Sequence, residues 1–213
     1  MRQFSKEQLK SAPLPPVQKP AGRLRMLAAA LKLFARQGFH GSSTRDLTSA
    51  LEVQPSALYA HFASKEEVLA ELIEIGYEAH HHALREAVVN GGATPQEQMA
   101  ALVRANAKFH ASFPLLAVVV HEEVHALTEE RLKVANVFRA QSVGLLQQVI
   151  ERGVAVGVFN PPDLQTTVAA IGAMSLRIPY WFQASAKFDL DALADAQVEL
   201  ALRMLTRART RSP

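Results

Sequence analysis

From Arg23 onward the apolar residues recur every three or four positions, and nowhere do they alternate as a half-buried strand requires. That period restricts the chain to an all-α fold. Capping residues and breakers then divide it into about nine helices. Leu24, Leu27, Ala28, Leu31, Phe34 and Ala35 place the first helix over 22–37, with Gly38 as its stop. Ser43 with Asp46 forms a capping box for a helix over 44–51. Gln54 and Pro55 open a short one ending near Phe62, because proline suits the first helical position. Ser64 with Glu67 starts a long helix to Val89, which Asn90-Gly91-Gly92 ends. Further helices are expected over 94–112, 114–126, 128–156, 163–183 and, capped by Asp189 or Asp191, on to Arg207.

Charge is distributed unevenly along this helical chain. Through Lys65 there are ten basic residues against three acids, a net of +7, and the remainder carries −4. A basic front on an acidic back is the footprint of a polyanion-binding module joined to something else. The Pro- and Lys-rich residues 1–22 read as a flexible arm, without the apolar run of a signal peptide. The longest apolar run, Phe113 to Val120, is core-length and too short to span a bilayer. The chain has no cysteine, which excludes disulfides, thiolate metal sites and cysteine nucleophiles and suits a reducing cytoplasm.

The three helices between 22 and 62, joined by short turns, form a helix-turn-helix pattern, in which the last short helix enters the major groove. Leu47, Leu51, Val53, Leu58 and Phe62 are expected to pack on Leu27, Leu31 and Phe34 and set its angle. The run AAALKLFARQGFHGSSTRDLTSALEV followed by QPSALYAHFASKEEVL resembles the DNA-binding domain of the TetR family of repressors. The resemblance covers about Arg23 to Leu72, and Leu58-Tyr59-Ala60-His61-Phe62-Ala63-Ser64-Lys65-Glu66 carries its most specific part.

The resemblance implies contacts to double-stranded DNA, position by position. Ser43 would point its hydroxyl or backbone N–H at a phosphate, and Thr44 and Arg45 would enter the groove edge. Arg45 is the candidate for a bidentate guanine contact, worth ~1–3 kcal/mol of discrimination. Pro55, Ser56 and Ala57 would touch base edges, and Tyr59 and His61 the backbone. Lys65 would add a charge to a helix N-terminus that already favours phosphate. The chain departs from the family where it has Glu52 in place of the usual glycine between the second and third helices. A left-handed backbone there costs a non-glycine residue ~1 kcal/mol or more.

Beyond the fourth helix the resemblance weakens. GVAVGVFNPPD (Gly153–Asp163) and SLRIPYWFQ look like the C-terminal domain of regulators that respond to acyl-CoA or other lipid-like ligands. That similarity implies a pocket built from Phe109, Phe113, Phe138, Met174, Tyr180 and Trp181, with Arg177 or His121 orienting a polar head group. Val168, Ile171, Met174, Leu193, Val198, Leu202 and Leu205 form the apolar stripes that a homodimer seam needs.

His121-Glu122-Glu123-Val124-His125 is a literal H-E-x-x-H, which on one helix would set two imidazoles on the same face for zinc. It offers an alternative reading as a metal-dependent hydrolase, although no third ligand stands out downstream. An architectural DNA binder without a sensor is another alternative, and adjacent His80, His81 and His82 are a further candidate metal site. The expectation is a non-enzymatic, cytoplasmic regulator without cofactor, a homodimer on a pseudo-palindromic operator. An arm (1–22), a DNA-binding domain (23–66) and a ligand-binding and dimerisation domain (67–213) would make up each chain.

Overall fold

The computed structural model describes residues 4, 12–54, 56–185 and 188–206. In chain order the α-helices are α1 (Ala21–Gln37), α2 (Thr44–Ala50), α3 (Ser56–Tyr59), α4 (Lys65–Asn90), α5 (Pro95–Ser112), α6 (Pro114–Glu122), α7 (Glu129–Ala155), α8 (Leu164–Ala173), α9 (Ile178–Trp181) and α10 (Leu190–Leu205), with a 3-10 turn at Val124–Ala126. The only β pairing among the described residues is one bridge between Ser185 and Phe188. The chain is all-α, as its period requires.

Local chemistry sets most boundaries. Gly38 ends α1 at φ 76°, a backbone that side chains disfavour. Ser43 and Asp46 close the expected capping box on α2. Thr94 and Glu97 close another on α5, with Thr94 N–H to Glu97 Oε2 at 2.9 Å. Of the two candidate caps for α10, Asp189 accepts from the Ala192 N–H, while Asp191 pairs with Lys108 at 2.6 Å.

Three boundaries differ from expectation. The third helix is only Ser56–Tyr59. The expected helix over 114–126 ends at Glu122, where the backbone tightens into 3-10 bonds. The expected helix over 163–183 is α8 and α9 with a turn between, because Pro179 has no N–H to continue the i→i−4 ladder. In the described part of the segment expected as an arm, Ala12 and Pro15 are buried and Lys19 Nζ lies 3.3 Å from Glu71 Oε1.

Compactness divides the described residues into two units. One contains the chain through Ala79 together with Ser112–Val137, and the other His80–Ala111 together with the chain from Phe138. In the first, α1 packs on α2 and α6, and Leu27, Leu31, Phe34, Leu47, Leu58 and Phe62 are essentially inaccessible. Each such side chain contributes ~1.5–3 kcal/mol by leaving water. In the second, Leu102, Val103, Leu146, Ile150, Phe159, Ile171, Val198 and Leu205 form the core. No helix among the described residues is long and apolar enough to cross a membrane.

Candidate functional site

The short α2 and α3 present one set of exposed side chains on a rigid base. Leu47 and Leu58 anchor them inward. Arg45 and Ser56 are exposed, Thr44 and Ala57 half-buried, and Tyr59 is 59% exposed. An aromatic side chain left this open suits contact with a polyanion better than it suits packing. Pro55, expected in the same group, lies outside the described residues.

Two of the expected phosphate ligands have work inside the protein. The Ser43 N–H and hydroxyl both donate to Asp46 Oδ2, at 2.8 and 2.7 Å. These bonds to Ser43 hold the Asp46 carboxyl below its ordinary pKa and occupy the donors that were expected to face phosphate. The Lys65 ammonium donates to the Phe39 and Ser42 carbonyls at 2.8 and 2.6 Å. It thus ties the start of α4 to the loop before α2, instead of standing free as a point charge.

Arg23 performs a similar task at the end of α3. Its guanidinium lies 4.0 Å over the Phe62 ring and donates to the His61 carbonyl and to Glu71, with Nε to Glu71 Oε2 at 2.7 Å. The hydrogen bond that Arg23 donates to Glu71 raises the Arg23 pKa. His61, half-buried and expected to reach DNA, also sits where a side chain at Gly22 would strike its ring. Glu67 joins this network through Arg23 Nη2 at 3.1 Å and accepts the Ala63 N–H at 2.7 Å. Ser64 supplies the other half of the cap, accepting the Glu67 N–H at 3.2 Å. Arg23, Phe39 and Glu71 were not among the expected site residues. For Arg23 and Glu71 the signal was polar residues next to a helix-turn-helix, which sequence alone cannot distinguish from a solvated face, and for Phe39 an apolar residue that reads as core.

Glu52 has φ 56°, so the turn between α2 and α3 is left-handed at the position where the family uses glycine. The strain anticipated from sequence is present, and the exposed carboxylate lies between the two reading helices.

The expected sensor residues are divided between the two units. Phe113 and His121 belong to the first unit, where the His121 ring meets Tyr77 edge-on with centroids 6.5 Å apart. In the second, Arg177 is exposed over the Tyr180 ring, and Trp181 is 54% exposed, its ring stacked with Phe188. Met174 is half-buried against the core. Phe109 borders a polar row on α4 and α5 in which Asn106 and His110 join His80. His80 Nε2 lies 2.9 Å from Asn106 Oδ1, and His110 Nδ1 lies 2.9 Å from the Asn106 carbonyl. Phe109 packs beside His80 and His110, and Phe138 beside His81 and His82. Desolvation depresses the pKa of His80 and of His81.

The stripe proposed for dimerisation is largely internal. Ile171, Leu193, Val198 and Leu205 are buried, and Val168, Met174 and Leu202 are partly buried against the same core. The apolar surface that α8 and α10 leave open is Ala169, Ala170, Ala173, Ala196 and Leu200.

The zinc-site geometry that H-E-x-x-H suggested is not formed. His121 is on α6, whereas His125 is in the 3-10 turn after Glu123, so the i, i+4 register of one helix is lost. No three His, Cys, Asp or Glu side chains among the described residues, His80–His82 included, are placed to hold a metal ion.

Comparison with known proteins gives two family matches. Residues 26–72 match the bacterial regulatory proteins of the tetR family, and residues 92–205 match the tetracyclin repressor-like C-terminal domain. The HTH-type transcriptional repressor KstR2 of Rhodococcus jostii is 23% identical over 185 residues, covering 86% of this chain and 91% of that protein. A tetR-family regulatory protein from Rhodococcus RHA1 superposes with a TM-score of 0.82 at 27% identity, over 89% of this chain and all of that one. The complex of AibR with isovaleryl coenzyme A and operator DNA has the same fold, with a TM-score of 0.74 at 22% identity over 84% and 97% of the two chains.

Proposed function

The chain belongs to the TetR family of bacterial regulatory proteins, and on that premise we propose that it is a sequence-specific transcriptional repressor released from its operator by a small acyl-CoA-like or lipophilic ligand. The observation that carries the DNA-binding part is the exposed set Arg45, Ser56 and Tyr59, with the half-buried Thr44, held on two short helices by buried leucines. Arg45 reads a base edge, while Tyr59 and the half-buried Ala57 approach the backbone and thymine methyls. The net +7 through Lys65 supplies the sequence-independent attraction.

Residues 23–66 read DNA in this proposal, and 67–213 bind the effector and the second subunit. The α8 and α10 faces bearing Ala170, Ala173 and Leu200 meet their copies in a homodimer, which brings two reading heads to half-sites roughly 34–36 Å apart on a pseudo-palindrome. Effector recognition is assigned to Phe109 beside the His80–Asn106–His110 row and to Phe138 beside His81 and His82. The same unit carries Met174, Arg177 and Trp181, expected to line the pocket, the last two of them exposed. AibR, bound in its structure to isovaleryl coenzyme A and operator DNA, is the reason for naming an acyl thioester. Release is a population shift, in which the ligand favours a form whose reading heads do not match the operator. A repressor of this kind acts in the cytoplasm, where the DNA is.

The test is a salt titration of binding to the gene's own upstream DNA and to scrambled DNA, with wild type and Tyr59→Ala. Preference for the upstream DNA, lost in the variant and weakened by acyl-CoA thioesters, is the expected result. Equal binding to both DNAs, unchanged in the variant, would reduce the basic front to non-specific electrostatics.

A further inference from the structure

The acid-rich motif that fails as a zinc site contains a side chain directed elsewhere. Glu123 is 6% exposed, and its carboxylate accepts the Phe39 N–H at 3.0 Å across 84 positions of sequence. A side chain at Gly38 would meet the same carboxylate at 3.5 Å, so Glu123 covers the peptide joining Gly38 to Phe39. We propose that Glu123 is a positioning residue for DNA reading, the strut by which α6 holds the loop that leads into α2.

Several observations within the first unit converge on this role. α6 packs on α1, and a Cβ at Gly76 would overlap Val120, so the end of α6 is also set closely against α4. The helix stops at Glu122, and Glu123, at φ −100° and ψ −3°, starts the 3-10 turn with its side chain inward. Phe39 is thereby clamped from two sides. Glu123 takes its N–H, while Lys65 takes its carbonyl and covers its ring at 4.0 Å. Four residues later Ser43 caps α2, and Thr44 and Arg45 follow. A carboxylate is suited to the task because a charge-assisted bond to a backbone N–H is shorter and stronger than a neutral one. It also answers a buried donor that would otherwise be costly. The strut stands on geometry alone, and its consequence for DNA rests on the repressor reading above.

The test combines amide hydrogen exchange on the free protein with operator binding, for wild type, Glu123→Ala and Glu123→Gln. In wild type the Phe39 amide, although in a loop, should exchange well below the rate of Gly41, and this check needs no variant. Glu123→Ala should raise Phe39 exchange about tenfold and weaken operator binding by about tenfold, the effect of losing one charge-assisted bond. Glu123→Gln keeps an acceptor oxygen at the same reach and should restore both. A Phe39 amide that exchanges at the loop rate in wild type would overturn the proposal, as would unaltered exchange in Glu123→Ala or a loss of operator binding that Gln does not rescue. Should wild type prefer no DNA sequence, the repressor reading falls, and the exchange measurements still decide the strut.

Discussion

The Lys65 ammonium stands 4.0 Å from the centre of the Phe39 ring while it donates to the Phe39 carbonyl at 2.8 Å, so one lysine at the start of α4 grips both faces of one loop residue. Its position in the sequence suggested a phosphate ligand, and its bonds make it a brace for the loop before α2. Lys65→Met, which keeps the stem and removes the donors, should lower stability by about 1–2 kcal/mol and weaken operator binding. The slope of log K against log salt should stay at its wild-type value. A slope reduced by ~0.9 would instead put Lys65 on a phosphate.

Glu52 combines a left-handed backbone with a negative charge between the reading helices. Glu52→Gly should therefore stabilise the protein by ~1 kcal/mol, read from urea unfolding. DNA binding should tighten as well, more at low salt than at high, because the removed repulsion is screened by ions. A less stable glycine variant would show that the turn gains from Glu52 something beyond conformational cost.

Gly153 offers a contest between propensity and packing. In the last turn of α7, alanine would gain up to ~1 kcal/mol of helix propensity. A Cβ at this buried position would, however, overlap the Phe159 ring, whose own N–H bonds the Gly153 carbonyl at 3.0 Å. Overpacking of this kind costs ~1–3 kcal/mol, so Gly153→Ala should lower the unfolding midpoint, and Phe159→Leu in the same chain should recover part of it. An alanine variant as stable as wild type would mean that the ring has room to move.

The desolvated His80 predicts an acid-sensitive second unit. Its folded pKa is depressed below the ordinary value of about 6.5, so in that window the unfolded chain binds the extra proton. Stability therefore falls as pH drops through 6.5 towards the folded pKa and levels off below it. His80→Gln should flatten the change in urea midpoint between about pH 7.5 and about pH 5.5, leaving a smaller dependence from His81, which is shifted the same way. Identical changes in the two proteins would remove His80 from the acid response.

The all-α class, the capping boxes at Ser43 and Thr94, the Gly38 stop and the helix-turn-helix register were legible in the sequence, because each depends on residues within one or two helical turns of each other. The strain at Glu52 was legible through the family resemblance, which puts glycine at that turn. Tertiary structure alone decided the rest. That Ser43 bonds Asp46, and that Lys65 bonds the Phe39 and Ser42 carbonyls, shows only in the folded chain. The stripe on α8 and α10 looks like a dimer seam until Ile171 and Leu205 are found in the chain's own core. Glu123 and Phe39 lie 84 positions apart, and no period or cap connects them. Periodicity shows which face of a helix leaves water, whereas what covers that face, and which polar group answers a buried donor, depends on chain brought together by folding.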